Sequence, residues 1–152
     1  MKHYIEGKVI VITGGSSGFG YEAARMLLEM GAMVTITGRN AERFEKAEKD
    51  LGGGENLLSV QSDACVTEEW KKLVAEVTNR WGTIDVLVLN HGQGVKIANI
   101  EDMDDKSIQQ IMDINIIIYY EHMLHRYMAF ECGFDGVHPI LWRFFPNANR
   151  TM

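Results

Sequence analysis

The chain has 152 residues, 46% of them hydrophobic and 24% charged, which suits one globular domain with its own core. With 15 basic and 21 acidic residues the formal charge is −6, and no basic run or stripe stands out, so nucleic acid is not expected as a partner. Cys65 and Cys132 make neither a disulfide framework nor a metal motif and read as reduced thiols; no apolar run approaches a membrane span, so a cytoplasmic protein without a membrane partner is expected.

Strand and helix patterns alternate from the start. Lys8 to Ile12 reads as a buried strand; it is too short for a signal peptide and runs into a glycine turn. Gly18 to Met30 reads as a helix with Ala23, Ala24, Leu27 and Leu28 on its apolar face and Gly31 as its stop. Met33 to Thr37 is the second strand. Ala41 to Leu51 is a helix with Glu42/Lys46 and Glu45/Lys49 at i,i+4 spacing, broken by Gly52-Gly53-Gly54. Leu57 to Gln61 is the third strand, Thr67 to Trp81 a helix burying Trp70, Leu73, Val74 and Val77, and Ile84 to Leu89 the fourth strand. The strands are apolar runs rather than strict alternations, as strands covered on both faces should be, so an α/β fold with a doubly wound parallel sheet is expected.

The texture changes after Asn90. Residues 92–99 read as a loop. Asp104, or Ser107 with Gln110 as a capping box, opens a helical stretch reaching about Glu131. The tail from Phe134 carries Gly136, Pro139 and Pro146 among Trp142, Phe144 and Phe145 and shows no clear period. A half-sheet of four strands would leave strand four with a bare edge. The segment Ile140 to Phe145 is the expected replacement strand for that edge.

The chemistry concentrates at Thr13-Gly14-Gly15-Ser16-Ser17-Gly18-Phe19-Gly20, between the first strand and the first helix. A glycine turn there lets backbone approach a ligand closely, and the helix N-terminus offers free N–H groups to a phosphate. Such loops lie at the C-terminal ends of parallel strands, where ligands bind. Gly14, Gly18 and Gly20 give the spacing G-x-x-x-G-x-G in the strand–turn–helix context that the motif requires.

On these residues the first 115 or so positions resemble the N-terminal half of a short-chain dehydrogenase/reductase, whose first turn reads T-G-x-x-x-G-x-G. The resemblance implies a Rossmann fold over residues 1–131, with residues 132–152 as an atypical tail. It implies cofactor contacts from Gly14, Ser16, Ser17, Gly18, Phe19 and Gly20 in the turn. Asp63 and Ala64, after strand three, stand where the family places an acidic residue against adenine. Asn90 and Gly92 match the family's N-N-A-G after strand four, while His91 replaces a small alanine and is expected to alter the floor of the cofactor site. Asn115, in Asp113-Ile114-Asn115, matches the family's catalytic asparagine on the fourth helix. That asparagine would help hold a water that relays protons; the other reading is that Asn115 only satisfies backbone in a helix kink.

Strand two ends Ile36-Thr37-Gly38-Arg39. Gly38 stands where an NAD enzyme would place an acid for the ribose 2′-hydroxyl, and the Arg39 guanidinium suits a 2′-phosphate, so NADP is favoured over NAD; a solvated arginine is the bland alternative. The resemblance also implies hydride transfer between the nicotinamide and a carbonyl or alcohol substrate. The family, however, uses a serine after strand five and a Y-x-x-x-K helix, and this sequence has no serine after Ser107 and no lysine after Lys106. Its Y-x-x-x-K, Tyr4 to Lys8, precedes strand one and is read as coincidence. The expectation is a cofactor half that is inactive alone. Its alternatives are a catalytically dead nucleotide-binding or interaction module and a truncated or frame-shifted product. The residue 108–128 helix is a candidate homo-oligomer surface, since the family packs a second subunit there, with simple core packing as the alternative. His122 and His125 are spaced to share a metal, but no third ligand is evident and none is expected.

Overall fold

A computed structural model describes residues 4–92, 104–117 and 138–141 of the chain. Its elements are β1 (Val9–Ile12), α1 (Gly18–Glu29), β2 (Met33–Gly38), α2 (Ala41–Asp50), β3 (Leu57–Gln61), α3 (Thr67–Trp81), β4 (Val86–Leu89), α4 (Asp105–Met112), a π-helical turn at Asp113–Ile117, and β5 (His138–Leu141). The described strands form one parallel sheet in the order β3-β2-β1-β4-β5.

The β1 strand is central and fully buried, which is why its sequence is an uninterrupted Val-Ile-Val-Ile. Alternation along the strands divides the core in two. On one face Ile10, Ile12, Val34, Ile36 and Leu57 pack with Ala24 of α1 and Phe44 and Ala47 of α2. On the other, Val9, Val11 and Val60 pack with Trp70, Leu73 and Val77 of α3. Helices thus cover both faces, as the doubly wound reading requires.

The helix ends follow their local chemistry. Asn40 caps α2 by accepting from the Arg43 N–H, and Asp104 caps α4 by accepting from the Ser107 N–H at 2.6 Å, a bond that holds the Asp104 carboxyl below its usual range. Of the two expected ways to open α4, the structure uses Asp104. Gly82 closes α3. Helical-spacing ion pairs fall on α1, Arg25 with Glu22 and Glu29, and on α3, Lys71 with Glu68. The expected Glu42/Lys46 and Glu45/Lys49 pairs are not among the ion pairs of the described residues; all four side chains stand in solvent, where such a pair gains little.

One expectation needs correction. The helix begun at α4 does not continue regularly: after Met112 the backbone widens into the π turn that carries Asn115. The rest of the stretch to Glu131, with His122 and His125, lies outside the described residues. To the four expected strands the sheet adds β5 from the tail, paired with β4 in parallel, Val86 beside His138 through Leu89 beside Leu141. Strand four's edge is covered as anticipated, by residues 138–141; positions 142–145 of the expected strand lie outside the described residues.

Candidate cofactor site

The C-terminal ends of β1, β2, β3 and β4 lie side by side, and the turns leaving them bring the sequence-selected residues to one rim of the sheet. From the end of β1 comes the 14–20 turn. From β2 come Gly38 and Arg39, from β3 Asp63 and Ala64, and from β4 Asn90, His91 and Gly92.

The hub of this rim is Thr13, fully buried at the end of β1. Its hydroxyl oxygen accepts from the backbone N–H groups of Asn90 at 3.0 Å and His91 at 3.2 Å. Those two bonds use both lone pairs, so the hydroxyl proton must go elsewhere. The imidazole Nδ1 of His91, at 2.8 Å, is better placed to accept it than the Val88 carbonyl at 3.3 Å, which already takes the Thr13 N–H. The count puts the ring proton of His91 on Nε2. His91 is therefore tied down to Thr13, directly before the glycine turn.

Asn90 fastens the same turn from its side chain. Its Nδ2 donates to the carbonyls of Thr13 at 3.2 Å and Gly14 at 3.1 Å. Gly14 has φ +66°, and a β-carbon there would come within 3.2 Å of the His91 Cα. Gly20, one turn into α1, faces the same carboxamide: a β-carbon on it would overlap Asn90 Nδ2 and the Gly14 carbonyl. At the start of α1, Ser17 makes no side-chain cap and the first turn carries no acid, as suits a helix N-terminus that faces an anion. A tight glycine cradle at an uncapped helix N-terminus fits the pyrophosphate of a dinucleotide. Phe19 stands 64% exposed at its lip.

The β2 and β3 tips meet across the rim. Arg39 Nη1 lies 3.7 Å from Asp63 Oδ2, both side chains partly solvated. Gln61 Nε2 donates to the Arg39 carbonyl, and Ser62 N–H donates to the Gly38 carbonyl. Asp63 is also held by its own loop: its Oδ1 accepts from the Cys65 N–H at 2.9 Å, and its N–H donates to Glu69 at 2.6 Å. Cys65 is exposed as a residue, yet partial burial of its thiol, then the charge of Asp63, pushes its pKa up to about 11. Gly38 leaves room for Ser16, whose Oγ would lie 2.7 Å from a β-carbon at that position.

Asn115 is brought to the same side. Its Oδ1 would lie 3.0 Å from a β-carbon on Gly92, and its Nδ2 donates to the Ile111 carbonyl at 2.9 Å. The side chain thus serves helix backbone at the π turn while its oxygen faces the β4 loop. Lys8 sits at the other end of β1, where its Nζ pairs with Asp85 at 3.1 Å, so the Tyr4-x-x-x-Lys8 match is remote from the rim. The Thr13 hydroxyl is a site group beyond those selected from the sequence. A threonine closing a buried strand directly before a glycine turn was the available signal.

Residues 8–131 match the family described as short chain dehydrogenase. The chain belongs to that family. The NADP-dependent (R)-specific alcohol dehydrogenase of Lentilactobacillus kefiri is 34% identical over 116 residues, covering 76% of this chain and 46% of that protein. A short chain dehydrogenase from Bacillus anthracis superposes with a TM-score of 0.78 at 28% identity, over 90% of this chain and 56% of the other. A 3-ketoacyl-(acyl-carrier-protein) reductase from Brucella melitensis, complexed with NADH, gives a TM-score of 0.70 at 31% identity, over 76% of this chain and 47% of the other. The chain spans about half the length of the curated relatives it matches. Among the described residues no helix is long and apolar enough to cross a membrane.

Proposed function

We propose that this chain is the NADP(H)-binding part of a short-chain dehydrogenase/reductase acting between a carbonyl and an alcohol, and that alone it binds the cofactor without turnover. The observation that carries the binding is the rim built around Thr13, with Asn90 and His91 locking the glycine turn against an uncapped α1. Gly14, Ser16, Ser17, Gly18, Phe19 and Gly20 would hold the pyrophosphate end, Asp63 and Ala64 the adenine, and Asn90 and Gly92 the floor toward the nicotinamide. The choice of NADP rests on Arg39 beside a glycine, where an acid would repel a 2′-phosphate; the Lentilactobacillus relative is itself named NADP-dependent.

When bound, the nicotinamide supplies or takes a hydride; the chain must then supply a proton path. Asn115 fits such a path by its place: its Nδ2 is held by the Ile111 carbonyl while its Oδ1 faces the Gly92 loop. The acid/base tyrosine and its lysine have no counterpart here, because neither serine nor lysine occurs beyond Ser107.

The test is a titration of the purified chain with NADPH and NADH, read by tryptophan quenching and thermal shift, with ketone reduction assayed in parallel. Saturable binding that favours NADPH is expected, with the preference lost in Arg39→Ala, binding of both nucleotides lost in Gly18→Trp, and no ketone-dependent oxidation of NADPH. Equal affinity for both nucleotides would refute the NADP assignment. No binding by a chain that melts cooperatively would refute the site.

A further inference from the structure

Arg39 and Asp63 enter the functional reading separately, one for the 2′-phosphate and one for adenine. In the structure they are neighbours: the Arg39 guanidinium lies 3.7 Å from the Asp63 carboxylate across the tips of β2 and β3. We propose that Asp63 sets cofactor discrimination through Arg39, competing with the 2′-phosphate of NADP(H) for the guanidinium and so holding the NADP preference below what Arg39 alone would give.

This rests on the assignment of Arg39 to the 2′-phosphate. The Asp63 carboxylate is anchored independently of Arg39, by the Cys65 N–H on its other oxygen and by its own N–H to Glu69, so it stays at the rim when a ligand arrives. A phosphate reaching Arg39 must therefore share a cation with a fixed anion and sit near that anion's charge. NADH has only a 2′-hydroxyl there and meets neither cost. Any contact of Asp63 with adenine is common to both nucleotides and cancels in the ratio of their affinities, which makes that ratio the proper readout. The two side chains are 54% and 33% exposed, which limits the effect to the range of surface ion pairs.

The experiment measures NADPH and NADH dissociation constants for the wild-type chain, Asp63→Asn, Arg39→Ala and the double variant, with a thermal melt of each. Asparagine keeps an oxygen for the Cys65 N–H, and Asp63→Ser is a second variant that also removes the charge and keeps an acceptor. Both Asp63 variants are expected to raise the NADPH-over-NADH affinity ratio about two- to fivefold. Arg39→Ala should abolish the preference, and adding Asp63→Asn to it should leave the ratio where Arg39→Ala put it. An unchanged or lowered ratio in folded Asp63→Asn and Asp63→Ser, with Arg39→Ala still abolishing the preference, would overturn this proposal while leaving the NADP reading intact. No change of ratio in Arg39→Ala would overturn both.

Discussion

The carboxamide of Asn90 occupies the space that a β-carbon on Gly20 would need. The strand-four loop and the first turn of α1 are thus fitted to each other at a single atom, on a carboxamide already bonded to the Thr13 and Gly14 carbonyls.

Gly20→Ala should therefore cost about 2 kcal/mol, the range of an overpacked site, because the overlapping groups are backbone and a doubly bonded amide rather than a loose side-chain end. Chemical denaturation measures the loss, and the same variant should bind NADPH weakly even below its melting transition. A wild-type midpoint would show that the turn can yield.

Thr13→Val keeps the shape and removes the hub. The N–H groups of Asn90 and His91 lose their acceptor and His91 Nδ1 loses its donor. A destabilisation of about 2 kcal/mol is expected, within the range for partly buried groups left unpaired. In the wild-type chain, nitrogen NMR of the imidazole should show the proton on Nε2, and in Thr13→Val that tautomer preference should weaken.

Thr35 gives the opposite sign. It is fully buried in the middle of β2, on the α3 side by alternation from Val34 and Ile36, and its hydroxyl finds no hydrogen-bond partner among the described residues. Thr35→Val should stabilise the chain by about 1 kcal/mol, since the buried hydroxyl is removed and the branched shape kept. A lower denaturation midpoint would contradict this.

Cys65 should be a slow thiol despite its exposure. With its pKa near 11, mainly through partial burial and then Asp63, little thiolate exists at pH 8. Its alkylation by iodoacetamide should run well below that of the unfolded chain and rise with pH beyond 9. Asp63→Asn removes the second cause only, so a partial acceleration at pH 8 is expected. Full recovery of the unfolded rate would mean that charge outweighs burial.

The central fold was legible because its signals were local and mutually consistent. Apolar runs such as Val9 to Ile12 lie between covered faces, and helices α1 to α3 fall within a residue of their expected bounds. The glycine turn was legible through its spacing, and Arg39 through its place after β2. What was not legible depends on distant partners. β5 contains Pro139, which argues against a strand except at a sheet edge, and its pairing depends on β4, far off along the chain. The π turn at Asp113–Ile117 has no period of its own in the sequence; Asn115 amid isoleucines hinted only that a polar group there needed partners. That Thr13 binds His91, and that Arg39 meets Asp63, follows from strand order rather than from any spacing along the chain.

That strand order also dictates when the cradle can exist. β2 lies between β1 and β3, which precede and follow it directly, but β4 must come back past all three to pair Val86 with Ile10 on the free side of β1. Loop closure makes that pairing the slow one. Since Asn90 and His91 ride on the end of β4, a nascent chain that has assembled only β1 to β3 has its glycine turn but nothing to lock it. Nucleotide added during refolding should be captured late, in step with the docking of β4. From then on it should act as a clasp that slows reopening of the longest-range seam among β1 to β4.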